Sequence, residues 1–180
     1  NVVDELKKAN VSRILALRGD RPASMSDEKF NSREFTYATD LVSFLKENTN
    51  FTLMGGCYPE KHFEAPSMEA DLMHLKEKTE AGCGILISQL FFDNDYFYRF
   101  LDKADNIGIK ADFHAGIMPI TSAKQLGTTV SLSGSSVPKK LADIIATYGD
   151  NAEDMRKAGI DFAVNQIMDL QSHGVHGIHL

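Results

Sequence analysis

Residues 14–22 read I-L-A-L-R-G-D-R-P, and this stretch decides the fold. Four apolar residues, Ile14 to Leu17, run the length of a short strand and then break into Arg18, Gly19 and Asp20. A buried parallel strand is apolar through the sheet and delivers its polar groups at its carboxyl end. Asp20 is therefore the first candidate for chemistry. Its purely structural alternative is a cap, or a salt bridge to Arg18 or Arg21.

The pattern recurs outward from this strand. Residues 51–57, F-T-L-M-G-G-C, break into Tyr58, Pro59, Glu60, Lys61 and His62; Gly55 and Gly56 suggest a close approach to the backbone there. Residues 84–90, G-I-L-I-S-Q-L, run into Phe91, Phe92 and Asp93, and residues 112–120, D-F-H-A-G-I-M-P-I, stop at Pro119. A fifth strand begins at 177–180. Apolar residues at helical spacing fill the intervals. Residues 1–10 suit the end of a helix, and 36–48 turn Tyr37, Leu41, Phe44 and Leu45 inward. Residues 67–81 bury Met68, Leu72 and Leu75, with Gly82 as the stop, and 94–106 bury Phe97, Phe100, Leu101 and Ala104. Short helices are expected at 122–126 and at 139–148, with Pro138 at the first position of the second. The longest, 152–173, presents Ile160, Ala163, Val164, Ile167 and Leu170. The polar segment 21–34 reads as a loop long enough to be functional.

Composition narrows the class. The 180 residues are 43% hydrophobic and 24% charged, which fits one ordinary globular domain rather than a disordered or membrane-spanning chain. A net charge of −6 without a Lys/Arg cluster argues against a nucleic-acid partner. Cys57 and Cys83 form no CxxC, so neither a disulfide framework nor a zinc site is expected. No signal peptide and no apolar run of about 18 residues is visible, so no membrane association and a cytoplasmic location are expected.

Strand then helix, repeated at roughly 30 residues, is the signature of parallel βαβ units, which close either as an open doubly wound sheet or as a (β/α)8 barrel. No strand leads through G-x-G-x-x-G into a helix, and polar residues sit at the carboxyl ends of successive strands; both favour the barrel. Five strands are too few for a whole one. The expectation is a single partial (β/α)8 TIM barrel over residues 1–180, about strands 4 to 8, with the amino-terminal strands outside this chain.

The strand ends gather Arg18, Gly19 and Asp20; Tyr58, Glu60 and His62; Ser88 and Gln89; His114, Pro119 and Thr121. No metal-ligand set stands out, and the mixture suits hydrogen bonding to a polar heterocycle and an organic cofactor. Gln89, in a mostly apolar strand, is either a ligand contact or the partner of a neighbouring strand. His62 alone would read as a surface histidine. His74 and Lys78, four apart beside Asp71, would read as a solvated helix face. Phe91 and Phe92 read as core. His173, His176 and His179 fall in helix end, turn and strand, which disfavours a metal cluster. A metal-dependent barrel aldolase and a noncatalytic flavin- or pterin-binding module are the alternatives to an enzyme with an organic cofactor.

Taken together, A-L-R-G-D at 16–20, Y-P-E-x-H at 58–62, D-L-x-x-L-K-x-K at 71–78, Q-x-F-F-D at 89–93 and G-I-M-P-I at 116–120 resemble the methylenetetrahydrofolate reductase family in order and spacing. The resemblance runs over nearly the whole chain. It implies a barrel carrying FAD at the carboxyl ends of its strands, NADH or NADPH as electron donor, and ping-pong reduction of 5,10-methylenetetrahydrofolate to 5-methyltetrahydrofolate by a homo-oligomer. It places Asp20 beside the flavin N1 and C2 carbonyl edge, where a carboxylate serves both catalysis and folate binding. Arg18, Gly19, Tyr37, Ala38, Tyr58, His62, Asp71, His74 and Lys78 fall on flavin-binding positions, Lys78 as a point charge on phosphate. Gln89 and Gln125 fall on substrate-side glutamines. Two positions depart from the pattern: His74 stands where some relatives have asparagine, and Thr129 where a stacking aromatic is expected. The family's general acid, a glutamate on the first barrel strand, lies outside these residues, and the 180 residues alone are expected to be inactive.

Overall fold

A computed structural model describes residues 2–22 and 24–180. Helix α1 (Val2–Lys8) leads into strand β1 (Arg13–Leu15), followed by the short helix α2 (Asp27–Asn31) and by α3 (Ala38–Asn48). Three repeats follow: β2 (Thr52–Cys57) with α4 (Met68–Glu80), β3 (Ile85–Ser88) with α5 (Asn94–Asn106), and β4 (Asp112–Gly116) with α6 (Ala123–Ser133). Helices α7 (Lys139–Tyr148) and α8 (Ala152–Ser172) precede β5 (Gly177–His179). Helices α4, α5 and α8 each begin where a short polar side chain takes up an otherwise unpaired N–H. Ser67 accepts from Ala70 N at 3.2 Å, Asp93 from Asp95 N at 3.0 Å, and Asn151 from Glu153 N at 3.1 Å.

All five strands are parallel, in the order β1-β2-β3-β4-β5. That order never reverses, whereas a doubly wound sheet reverses direction at its switch point. Parallel crossovers are right-handed, so a sheet that always grows in one direction puts every crossover helix on the same face. The burial follows. Ala16, Leu53, Cys57, Leu86 and Ala115 alternate along their strands and lie buried with Val42, Leu45, Leu72, Leu75, Phe97, Phe100 and Leu170 of the helices in one core. Phe113 of β4 meets Phe100 of α5 edge-on at 5.7 Å. The opposite face carries the register-matched Leu15, Met54 and Ile85, then Ile87, His114 and Gly177. No helix packs on it among the described residues, and Leu17 beyond β1 is 54% exposed.

Phe91 and Phe92 are both buried, as expected of core residues, but in different clusters. Phe91 stacks on Phe97 at 5.0 Å in the main core, while Phe92 joins Ile120, Leu141 and Met155 in a second core at the α7–α8 end.

Several expected boundaries and faces are corrected. The 21–34 segment holds a helical turn, α2, capped by Ser26 and burying Phe30. Tyr37 precedes α3 rather than joining its inner face and is 63% exposed; Leu45 is buried as expected, but Val42 joins it there while Phe44 lies at the surface. Strand β4 ends at Gly116, well before Pro119. Helix α6 passes Leu126 and stops at Gly134, whose φ of 70° is the left-handed geometry of a helix end. Pro138 caps α7 from just outside it. On α8 Val164 is exposed while Gln166 is buried, its amide donating to Phe91 O at 2.8 Å.

Candidate functional site

Three strands converge at their carboxyl ends. Beyond β1, Gly19 has a φ of 74°, a left-handed turn that a side chain would strain, and the chain swings Asp20 to the exposed surface. Arg18 turns back and pairs with Glu64 at 2.7 Å. Arg21 pairs with Asp27 at 2.9 Å. The two partners that a purely structural Asp20 would use are thus engaged elsewhere, and Asp20 makes no ion pair among the described residues.

Beyond β2, residues 58–65 close on themselves. Lys61 adopts a φ of 80°, rare for a residue with a side chain, as its N–H donates to Tyr58 O at 3.1 Å. The Lys61 amine donates to the carbonyls of His62 at 2.9 Å and Ala65 at 2.6 Å. His62 N–H donates to Asp71 Oδ2 on α4 at 2.8 Å, and Glu64 N–H donates to His62 Nδ1 at 3.1 Å. With Nδ1 accepting and burial lowering its pKa, His62 is neutral and carries its proton on Nε2. Its ring meets Tyr58 edge-on at 4.5 Å. Burial, seconded by the Asp71 and Asp20 charges, raises the Tyr58 pKa, which favours the protonated phenol, a hydrogen-bond donor. The hydrogen bond from Arg18 lowers the pKa of Glu64, and the same contact raises that of Arg18.

Lys78 corrects the reading of a solvated helix face. Its chain runs inward from α4 beneath the sheet, against the empty side of Gly55, and its amine donates to Gly56 O at 2.9 Å. A Cβ on Gly55 would come 3.0 Å from Lys78 Cδ and 2.9 Å from Cys83 Sγ, which explains the glycine. Burial lowers the Lys78 pKa. A small cavity of about 30 Å³ opens beside it between Tyr58, Asp71 and His74. His74 itself stays on the solvated face, with Nδ1 3.4 Å from Glu77.

Gln89 follows β3 directly. Its N–H donates to Cys57 O at 2.7 Å, which sets it beside the Tyr58 loop, and its Oε1 accepts from Leu90 N at 3.0 Å. The amide NH2 is thereby turned to act as a donor. Gln125, at the start of α6, spans its own turn: Oε1 accepts from Thr121 N and Oγ1 at 2.8 and 3.1 Å, and Nε2 donates to Pro119 O at 3.3 Å. Thr129 is buried, with its hydroxyl 3.6 Å from Met118 Sδ. Tyr37, whose N–H donates to Asp40, and Ala38 begin α3, outside the hydrogen-bonded cluster around His62.

Arg18, Asp20, Tyr58, His62, Asp71 and Lys78 thus share one electrostatic neighbourhood. Sequence reasoning gathered Glu60 at this edge but missed the other groups that hold it and the contacts they make. Glu64 anchors Arg18, and Lys61 folds the loop. Glu60 accepts Ser136 N–H at 3.0 and 3.1 Å, while the Ser135 hydroxyl donates to Leu90 O at 2.7 Å, tying the α6–α7 connection to the ends of β2 and β3. Arg33 lies 3.6 Å over the Phe30 ring and donates to Arg18 O at 3.3 Å. A larger cavity of about 570 Å³ lies at the other end of β3 and β4, around Gly84, Asp105, Lys110 and Asp112. Asp105 and Lys110 neutralise each other there at 2.7 Å, and none of the candidate residues reaches it. Among the described residues no group of three or more His, Cys, Asp or Glu side chains is arranged to hold a metal ion, and no helix is long and apolar enough to cross a membrane.

A five-stranded parallel sheet flanked by helices, with polar groups beyond the carboxyl ends of its strands, places the chain among the α/β proteins, in which that edge is the usual place for a ligand. The sequence profile described as "Methylenetetrahydrofolate reductase" matches residues 1–180, and the chain belongs to that family. It is 34% identical over 169 residues to the 5,10-methylenetetrahydrofolate reductase of Escherichia coli (strain K12), an alignment covering 94% of this chain and 55% of that one. It is 32% identical over 178 residues to the enzyme of the same name from Pectobacterium carotovorum subsp. carotovorum, covering 99% and 58%. With the Arabidopsis thaliana protein named methylenetetrahydrofolate reductase (NADH) 1 it shares 31% over 193 residues, covering all of this chain and 32% of the relative. The chain thus spans little more than half the length of the bacterial relatives. A solved Clostridium thermocellum protein, described as binding two copies of 5-methyl-5,6,7,8-tetrahydrofolic acid, shares the fold at a TM-score of 0.54 and 18% identity, over 79% of this chain and 50% of its own.

Proposed function

We propose that the chain forms the site-bearing part of an FAD-dependent reductase that converts 5,10-methylenetetrahydrofolate to 5-methyltetrahydrofolate with NADH or NADPH. The observation that carries this is the convergence of Arg18, Asp20, Tyr58, His62, Asp71 and Lys78 at one sheet edge in a chain of this family. The fold belongs to the same proposal. Helices on one face only, with apolar Leu15, Met54 and Ile87 on the other, suit closure into a (β/α)8 barrel that turns this second face inward.

The donor set fits a flavin dinucleotide. Tyr58 and His62 Nε2–H are neutral donors for a polar heterocycle, Asp71 is an acceptor, and Lys78 is a cation beside a small polar gap. When bound, FAD supplies the hydride relay between nucleotide and folate. The protein's own groups position and polarise. Asp20, exposed and unpaired by either neighbouring arginine, opposes negative charge at the flavin edge and stabilises a cationic folate. Gln89 donates its amide N–H to the pterin, and Gln125 serves the substrate side once its turn opens toward ligand. Arg18 is held by Glu64 for the flavin's polar groups, as Gly19, Tyr37, Ala38 and His74 line the same cofactor. The substrate is a small folate, and self-association completes the proposal.

Asp20→Asn in the complete gene product tests the assignment. It should slow folate reduction roughly tenfold or more while leaving nucleotide oxidation nearly unchanged, the loss of one electrostatic contact made on the folate side. Equal loss in both half reactions would reject the role given to Asp20.

A further inference from the structure

Glu60 stands beyond the carboxyl end of β2 among the polar groups of the site, yet no role given to that site uses it. Both of its carboxylate oxygens face one donor, the N–H of Ser136 in the connection between α6 and α7, at 3.1 and 3.0 Å. The preceding residue, Ser135, is buried, and its hydroxyl donates to Leu90 O at 2.7 Å. Ser135 and Ser136 thus form a strap across the ends of β2 and β3. The strap reaches both substrate-side glutamines. Leu90 gives its carbonyl to Ser135 and its N–H to Gln89 Oε1 at 3.0 Å, so a single residue links the strap to the Gln89 side chain. Helix α6 carries Gln125 in its first turn and runs through Gly134 into the strap at its other end. A carboxylate on a backbone N–H makes a stronger hydrogen bond than a neutral acceptor, and this one joins segments 76 residues apart.

We infer that Glu60 is a positioning residue for the folate: by holding Ser136 it fixes Leu90, and with Leu90 the direction in which Gln89 presents its amide. This rests on the reductase proposal, which puts Gln89 and Gln125 on the substrate side. Glu60 touches neither substrate nor cofactor in this role. Without its carboxylate the strap keeps only the Ser135 tie, the Gln89 amide is less well fixed, and folate binding must order it. The cofactor side is held by other contacts, His62 with Asp71, Lys78 with Gly56 and Arg18 with Glu64, none of which passes through the strap.

Rapid-mixing reoxidation of the NADH-reduced complete gene product by 5,10-methylenetetrahydrofolate separates folate binding from the rate that follows it. Glu60→Ala should weaken the apparent folate affinity about tenfold, with the limiting reoxidation rate, the nucleotide half reaction and FAD retention nearly unchanged. Glu60→Gln, whose amide oxygen still accepts from Ser136 N–H, should restore most of that affinity. Ser135→Ala cuts the other tie and should weaken folate by a similar factor, and the double variant should add little, because both residues act through one strap. Unchanged folate affinity in Glu60→Ala and Ser135→Ala overturns the positioning role while the reductase proposal stands. So does a loss shared equally with the nucleotide half reaction and FAD retention, or a Glu60→Gln protein as impaired as Glu60→Ala. A parent protein whose reduced flavin is not reoxidised by folate overturns the proposal on which the inference rests.

Discussion

Gly116→Ala is the substitution whose cost the geometry fixes best. A Cβ at Gly116 would lie 2.2 Å from Ser88 O, 3.3 Å from Ser88 C and 3.4 Å from Gln89 C. All three are backbone atoms of the adjoining strand, so no flexible side chain can give way. Strands β3 and β4 must part by most of an ångström at the point where Gly116 N–H donates to the buried Ser88 hydroxyl at 2.9 Å. Overpacking a tight interior costs roughly 1–3 kcal/mol, and the weakened buried hydrogen bond adds about 1 kcal/mol. The total of roughly 2–4 kcal/mol lowers the melting temperature by on the order of 10 °C for a chain of this size. Gln89 rides on the displaced backbone, so folate affinity should fall with stability. Gly84→Ala is the control: nothing lies within 4 Å of its added methyl, and it should stay within about 0.5 kcal/mol of the parent. Thermal and urea unfolding of both variants decide the matter, and a Gly116→Ala protein that melts with the parent would refute the close approach of β3 and β4.

Lys78→Met keeps the methylene chain against Gly55 but removes a buried charge, so stability should hold within about 1–2 kcal/mol while FAD affinity falls at least roughly tenfold; a large loss of stability with full FAD retention would make Lys78 structural. Glu64, whose pKa is lowered by Arg18, contributes stability above its ordinary value near 4.5 that is lost as pH falls through the lower folded value. Because Glu64 is 47% exposed the contribution is about 1 kcal/mol at most. The stability difference between the parent and Glu64→Gln should therefore be flat at neutral pH and shrink below about pH 4.5, and a difference that grows on acidification contradicts the pairing. Gln89→Glu preserves the acceptor for Leu90 N–H but removes the free amide donor, so folate turnover should drop roughly 10- to 100-fold with nucleotide oxidation little changed; unchanged folate kinetics would remove Gln89 from the pterin site.

What the sequence discloses is local. The break after Leu17 and the alternation of strand with helix are each written within a few residues, and the five-stranded parallel sheet follows from them. Helix α2 escapes because five residues hold too little of a 3.6-residue period, and Phe30 is buried by Arg33 stacking on it rather than by a pattern. Helix α6 is expected to be short, 122–126, yet it runs on to Ser133 and is closed by Gly134. Gln166 looks polar and outward until Phe91 O is seen to need its amide.

The site divides in the same way. Asp20, Tyr58, His62 and Gln89 are legible because strand ends announce themselves, and Asp71 with Lys78 because the family motif spans them. The supports are not legible. Glu60 and Ser136 are 76 residues apart, and only the folded sheet brings them together. Glu64 lies just past the His62 motif, but nothing in its spacing names Arg18 as its partner. Lys78 reads as solvated because helical periodicity cannot show a long side chain drawn into the gap that Gly55 leaves open.

The absorbance spectrum of the purified complete gene product, followed by anaerobic addition of NADH and then 5,10-methylenetetrahydrofolate, tests the central claim most directly. Bound oxidised flavin should give bands at about 450 nm that bleach with nucleotide and return with folate. A colourless protein that takes up no added FAD would contradict it.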